Sequence, residues 1–343
     1  TNKWALSLVF FTSITFLCSP DPQITIDSVW KELLPMFFLS LYLASRFTLK
    51  QQFRLALWAM VLIFLLSIAL AIAVPGIGRH TVDPFMGSWK GVFGQKNQFG
   101  AHSTMTLIAL FILANYAEKK QRWALILLGG CFAALLVSSS VTALVLSFVG
   151  LLLTIFYWRY AWLGKRSILL ASLFLLFTTS FSYVLFFNWV DILSFFDRDP
   201  TLSTRTLIWD LVISSKIPAS PYFGYGRGIF WNSVSLTTGF KSFAYHVPAH
   251  AHNGFLDLII DIGLIGFSLF CVTWFVAYVR AAKLAYSRKE APYLWPLLFL
   301  SMLTLFNIFE SYLARLTTLY WVFFIAIAFS LSPRVLAKKN DDF

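Results

Sequence analysis

LALWAMVLIFLLSIALAIAV, residues Leu55–Val74, runs for twenty residues without a charge. A helix rises about 1.5 Å per residue, so this stretch reaches about 30 Å, the depth of a bilayer's hydrocarbon core. Apolar runs of the same kind recur on both sides of it. We place them at Trp4–Cys18, Leu33–Ser45, Leu55–Val74, Phe99–Ala117, Trp123–Val137, Val141–Tyr157, Ile168–Phe187, Gly254–Val279, Trp295–Phe309 and Leu316–Leu331. The expected fold class is all-α: a polytopic integral membrane protein of about ten transmembrane helices, a single membrane domain over residues 1–343.

The composition excludes a soluble protein. The chain is 59% hydrophobic and 12% charged, against about 25% charged for soluble domains. A chain with so little polar surface cannot cover itself in water. Its mean hydropathy is +0.74. The net charge of +12 reads as a cytoplasmic surplus of Lys and Arg rather than a nucleic-acid footprint. Cys18, Cys131 and Cys271 lie far apart in or beside apolar runs, without CxxC spacing, and read as small apolar residues. Ser19-Pro20-Asp21 after the first run is no small-residue cleavage site, so that run is expected to be a span and not a signal peptide. The sequence starts at Thr1, which leaves room for residues upstream.

Charge sets the expected orientation. With ten helices and both termini cytoplasmic, the inside loops receive Arg46, Lys50 and Arg54; Lys119, Lys120 and Arg122; Arg159, Lys165 and Arg166; and Arg280, Lys283, Arg288 and Lys289. Arg334, Lys338 and Lys339 fall in the tail. This is the positive-inside pattern. Two outer segments are then long: a periplasmic loop at 75–98 and a large one at 188–253, between spans seven and eight. Loops of the second size carry function or are disordered. Its aromatic content predicts order, with a short helix over Thr206–Ser214 capped by Ser203-Thr204, ended by Pro218 and Pro221, and a glycine turn at Gly224, Gly226 and Gly228.

Residues with chemical potential gather on this outer face. Gln95, Lys96 and Asn97, within GVFGQKNQFG (Gly91–Gly100), stand where a helix N-terminus favours an anion. A glycine-flanked loop with a snorkelling lysine is the bland alternative. Arg205 and Arg227 suit a diphosphate, because a guanidinium grips phosphate with a planar fork; lipid anchoring is the alternative. The segment HVPAHAHNGFLDLIIDIGLIG, His246 to Gly266, holds three of the five histidines. On one helix, His250, Asn253, Asp257 and Asp261 would form a stripe, the two carboxylates one and two turns inside the membrane, where they normally face a cavity or partner. Gly263 and Gly266 would admit another helix. Glu310 and Arg315, on the last outer turn, either pair at the rim or close the site. His246, His250 and His252 match no familiar zinc spacing, so no metal is expected.

Four blocks together resemble the O-antigen ligase and Wzy-type polysaccharide polymerase superfamily: Gly91–Gly100, RTLIWD (Arg205–Asp210), YFGYGRGIFW (Tyr222–Trp231) and His250–Gly266. His252-Asn253, nine residues and then Gly263-x-x-Gly266 is similar to the O-antigen ligase signature. HAHNGFLDLIIDIGLIG after FGYGRG looks more like the polymerases of ExoQ type. The resemblance covers the chain from about Pro75 onward.

The resemblance implies a metal-independent, inverting glycosyltransferase without a cofactor. It implies a glycan donor on undecaprenyl diphosphate. The acceptor would be a second lipid-linked glycan for a polymerase, or lipid A core for a ligase. The site would face the periplasm from the bacterial inner membrane. A chain-length regulator is a conceivable partner. His252 maps onto the family's catalytic position, and Arg205 and Arg227 onto its arginines, with Lys96 and Arg315 as lesser candidates for the diphosphate. His250, Asn253, Asp257, Gln95, Asn97 and Glu310 are expected in support, with Asp257 facing His250 better than His252. A lipid-linked sugar transporter and a structural membrane protein are the competitors outside catalysis. Transporter halves often repeat, and no internal repeat is evident here.

Overall fold

A computed structural model describes residues 2–83, 85–116, 121–160, 205–237, 239–240, 248–288, 290–315 and 319–332. Every expected span coincides with a helix except Ile168–Phe187, which lies outside the described residues, as do Ser203-Thr204 and His246. Five helices are long and apolar enough to cross a membrane: Leu49–Ala73, Lys96–Tyr116, Val141–Arg159, Gly254–Arg288 and Ala291–Phe309. Shorter apolar helices cover Lys3–Cys18, Arg122–Ser138 and Tyr320–Ser330. Among the described residues no strand forms; Arg79 and Trp89 make an isolated antiparallel bridge.

Local chemistry explains several boundaries. Thr48 and Gln51 form a reciprocal capping box that starts Leu49–Ala73. Asn253 caps Gly254–Arg288, its Oδ1 accepting from the N–H groups of Phe255 and Leu256. Lys96–Tyr116 is largely buried and packs against Leu49–Ala73, Arg122–Ser138, Val141–Arg159 and Ala291–Phe309. Tyr320–Ser330 is buried along its whole length and packs on Leu34–Arg46. Elsewhere large apolar side chains such as Phe10, Trp58, Ile126 and Phe148 face outward, as lipid-facing helices require.

The Gly254–Arg288 helix is interrupted at Gly263, where φ is 65° and ψ is −176°. The expectation of a neighbouring helix at Gly263 is corrected here. The Pro221–Gly226 turn approaches instead, and a Cβ at Gly263 would meet the Tyr222 carbonyl. The turn satisfies the backbone groups freed by the break. Tyr225 and Gly226 donate to the carbonyls of Ile260 and Asp261, while Leu264 and Ile265 donate to Pro221 and Tyr222. Irregular backbone inside an apolar bundle persists where protein supplies such partners. At Gly266 the atoms nearest a Cβ belong to the Ile262 side chain of the same helix.

In the segment between the seventh and eighth expected spans the short helix spans Arg205–Leu211 and continues as a π turn, Val212–Lys216, into Ile217–Ala219. It therefore runs past the expected stop and tolerates Pro218 in its final turn. With Tyr225, Ile229, Phe230, Phe240, Ala251 and Ile260 it builds a small apolar core separate from that of the bundle.

Candidate active site

Four helix ends meet at one place. The N-terminal turn of Lys96–Tyr116 supplies Asn97, and the N-cap of Val141–Arg159 supplies Ser140. The start of Gly254–Arg288 brings the His250–Asn253 loop, and the C-cap of Ala291–Phe309 is Glu310. The Gly254 N–H donates to the Glu310 carbonyl at 3.0 Å, joining the last two. Asn307 accepts from the N–H groups of Tyr312 and Leu313 and so bends the chain after Glu310. Its Oδ1 fills the space a Cβ on Gly254 would need.

Glu310 is the hub. Oε1 accepts from Arg205 at 2.9 Å and from Asn97 at 2.9 Å, and Oε2 lies 3.3 Å from Nδ1 of His252. Ser140 donates to Asn97 Oδ1 at 2.9 Å and fixes the amide. Burial alone would raise the Glu310 carboxyl. The His252 hydrogen bond and charge, with Arg205 and His250, overcome this and push it down to about 2. An ionised carboxylate only accepts, so the hydrogen between the two groups lies on Nδ1 of His252. His252 sits at φ 52°, a left-handed conformation uncommon outside glycine. Its N–H donates to Nδ1 of His250 at 3.2 Å, and the two rings meet edge to face at 4.2 Å. Burial, then the charge of His252, pushes His250 down to about 4, and its Nδ1 can therefore accept as a neutral ring.

Several expectations change. His250 does not share a helical stripe with Asp257 and Asp261, because Asn253 caps the helix and the histidines precede it. Asp257, expected to face His250, makes no hydrogen bond to that ring among the described residues. Its Oδ1 accepts from Ala251 N–H at 3.0 Å and Trp231 Nε1 at 2.8 Å, and its Oδ2 lies 3.3 Å from the Arg315 guanidinium. Glu310 and Arg315 do not pair with each other; each takes a partner from the other side of the site, because the turn between them sends them to different helices. Both Asp257 and Asp261 are covered by protein, with Gly228 N–H donating to Asp261.

Arg227 is 2% exposed, and one terminal nitrogen donates to Glu32 at 2.8 Å and to the Ala314 carbonyl at 2.7 Å. It thus lies behind the cluster rather than beside Arg205 at its surface. Arg205 and Arg315 keep some of their side chains exposed. Lys96 donates to the Ser139 carbonyl at 3.1 Å and lies over the Phe85 ring at 4.4 Å. Gln95 is exposed, and its carbonyl starts the helix by accepting from Gln98 and Phe99.

Ligand atoms of His250, His252 and Glu310 lie within 4.8 Å of one another, close enough to hold a metal ion. Their donors are committed, however: Glu310 to Arg205, Asn97 and His252, and His250 Nδ1 to a backbone N–H. The Arg205 cation against Glu310 opposes a second cation there. Sequence reasoning missed Ser140, Glu32 and the indole N–H groups of Trp209 and Trp231. Both tryptophans stand inside the quoted blocks, which was the available signal.

The O-antigen ligase family model, Wzy_C, matches residues 123–271, a segment that includes Arg205, Arg227, His252 and Asp257. The chain is also similar to the exopolysaccharide production protein ExoQ of Rhizobium meliloti (strain 1021), 27% identical over 237 residues, or 63% of this chain. The match takes in 52% of ExoQ, so the chain spans about half the length of that relative. Both comparisons support placing the chain in the O-antigen ligase and Wzy-type polysaccharide polymerase superfamily.

Proposed function

We propose that the protein is a membrane glycosyltransferase that moves a glycan from undecaprenyl diphosphate to a sugar hydroxyl of another lipid-linked glycan, with inversion and without a metal. The observation that carries this reading is the Arg205–Glu310–His252 cluster: an imidazole whose Nε2 has no hydrogen bond among the described residues, oriented by an ionised carboxylate, beside a fixed arginine. The acceptor oxygen attacks the anomeric carbon from the face opposite the diphosphate. The carbon–oxygen bond to the leaving group breaks, and its electron pair departs on the phosphate. The hydroxyl proton passes to His252 Nε2, and Glu310 stabilises the imidazolium that forms. Arg205 supports the departing charge in a site already arranged for it.

Arg315, partly exposed and held by Asp257, is a nearby second cation. Arg227 serves the diphosphate directly only after release from Glu32; in the arrangement seen it supports the Ala314 turn that precedes Arg315. Lys96 assists from the neighbouring helix N-terminus. The charge distribution supports an arrangement in which this end of the bundle faces the periplasm from the inner membrane, with ten spans, both termini cytoplasmic, and segments 75–98 and 188–253 outside.

The ligase reading, with lipid A core as acceptor, draws support from the description of the matched family. One assay separates the two. Purified protein receives undecaprenyl-diphosphate-linked oligosaccharide in excess EDTA, with and without lipid A core. A ladder of longer lipid-linked glycans marks a polymerase. A single shift of the lipid A core band marks a ligase. Absence of both products with folded protein, alongside flipping of lipid-linked sugar in liposomes, overturns the transferase reading in favour of transport.

A further inference from the structure

We infer that Trp209 and Trp231 are positioning residues that hold the catalytic loop by clamping Ala251, the residue between the two histidines. Both backbone polar groups of Ala251 are taken. Its carbonyl accepts from Trp209 Nε1 at 2.8 Å, and its N–H donates to Asp257 Oδ1 at 3.0 Å. Trp231 Nε1 donates to that same Oδ1 at 2.8 Å. Ala251 is fully buried, so water does not compete for these bonds. The next residue, His252, stays at φ 52°, a conformation that persists where the surroundings over-determine it. Fixing Ala251 on both sides supplies that constraint.

The clamp reaches from the donor side of the site. Arg205 and Trp209 are four residues apart on the Arg205–Leu211 helix and lie on one face of it. One short helix therefore sets Arg205 on Glu310 and Trp209 on Ala251. Trp231 lies in the short helix Phe230–Asn232, just after the turn that satisfies the Gly263 break, and it packs on Phe230 and Phe240. Trp209 thus donates directly to the loop that carries His252, and Trp231 reaches it through Asp257.

This inference rests on the proposed role of His252. The test compares Trp209→Phe, Trp231→Phe, His252→Ala and Phe230→Leu in the full-length chain. Phe230→Leu loosens the same small core with a side chain that carries no polar group. Donor turnover on undecaprenyl-diphosphate-linked oligosaccharide and backbone amide exchange at Ala251 are both read. The clamp predicts that each Trp→Phe variant loses at least tenfold in kcat with donor KM within twofold. Ala251 exchange should quicken at least tenfold, while Phe230→Leu moves neither by more than about threefold. Wild-type exchange at Ala251 in both Trp variants, or losses that Phe230→Leu reproduces, overturn the clamp. Full turnover by His252→Ala overturns the base assignment instead, and exchange at Ala251 then still decides whether the clamp exists.

Discussion

Glu310 and His252, 58 residues apart in the chain, meet with Oε2 3.3 Å from Nδ1 at the junction of four helix ends. The carboxylate is held on its other oxygen by Arg205 and Asn97, so it cannot turn away from the ring without losing two donors. An imidazole oriented in this way has one nitrogen committed, and its Nε2 has no hydrogen bond among the described residues.

Replacing Glu310 with Gln keeps the shape and removes the charge. The amide can donate to Nδ1 and select the wrong tautomer, and it leaves Arg205 without its counter-ion. Turnover should fall about 100-fold or more, within the range general-base catalysis contributes. Rates measured at saturating donor, with folding checked by thermal melting, report this.

Arg205 and Arg227 should fail differently. Arg205→Lys loses the planar fork at the site and should lower turnover with little change in melting. Arg227→Met leaves the buried Ala314 carbonyl without its donor, while Glu32, 39% exposed, can turn to water. Leaving a buried acceptor unsatisfied costs about 1–3 kcal/mol, so this variant should melt early. Equal melting temperatures for the two variants would contradict the burial of Arg227.

Acid should weaken the fold in two stages. His250 is held at about 4 against an ordinary 6.5, so the unfolded chain takes up its proton first. Stability present above 6.5 is lost as pH falls toward 4. Glu310, held at about 2 against an ordinary 4.5, adds a second loss below 4.5. Melting temperature followed from pH 7 to pH 4 should decline in the wild type and decline less in His250→Gln.

Gly263→Ala tests the helix break. Its φ of 65° strains any side chain, and the new Cβ would collide with the Tyr222 carbonyl. Backbone strain alone costs about 1–3 kcal/mol. Because the Pro221–Gly226 turn carries the chain on to Trp231, activity should fall along with melting temperature. Gly76→Ala, with open space around the new Cβ, is the control and should change neither.

Long apolar runs made the helices legible, because twenty residues without a charge admit few other readings. The gathering of His252, Arg205 and Glu310 at one end of the bundle was legible from where the polar residues fall between apolar runs. The pairings were not. Glu310 and Arg315 are neighbours in the sequence, yet the bend that Asn307 imposes sends them to His252 and Asp257. The start of the Gly254 helix was within reach: Asn253 is a favoured N-cap before an apolar run, and reading it so would have taken both histidines off the helix. Gly263 is the same lesson in another form. A glycine inside an apolar helix marks either a close neighbour or a break, and periodicity alone does not choose.

The central claim is that His252 takes the acceptor proton in glycan transfer. Its most direct test is single-turnover transfer by purified His252→Ala from undecaprenyl-diphosphate-linked oligosaccharide, with donor affinity measured in parallel. The account predicts donor binding within about twofold of wild type and a transfer rate lowered at least 100-fold. Transfer within a few fold of wild type, by folded protein, would contradict it.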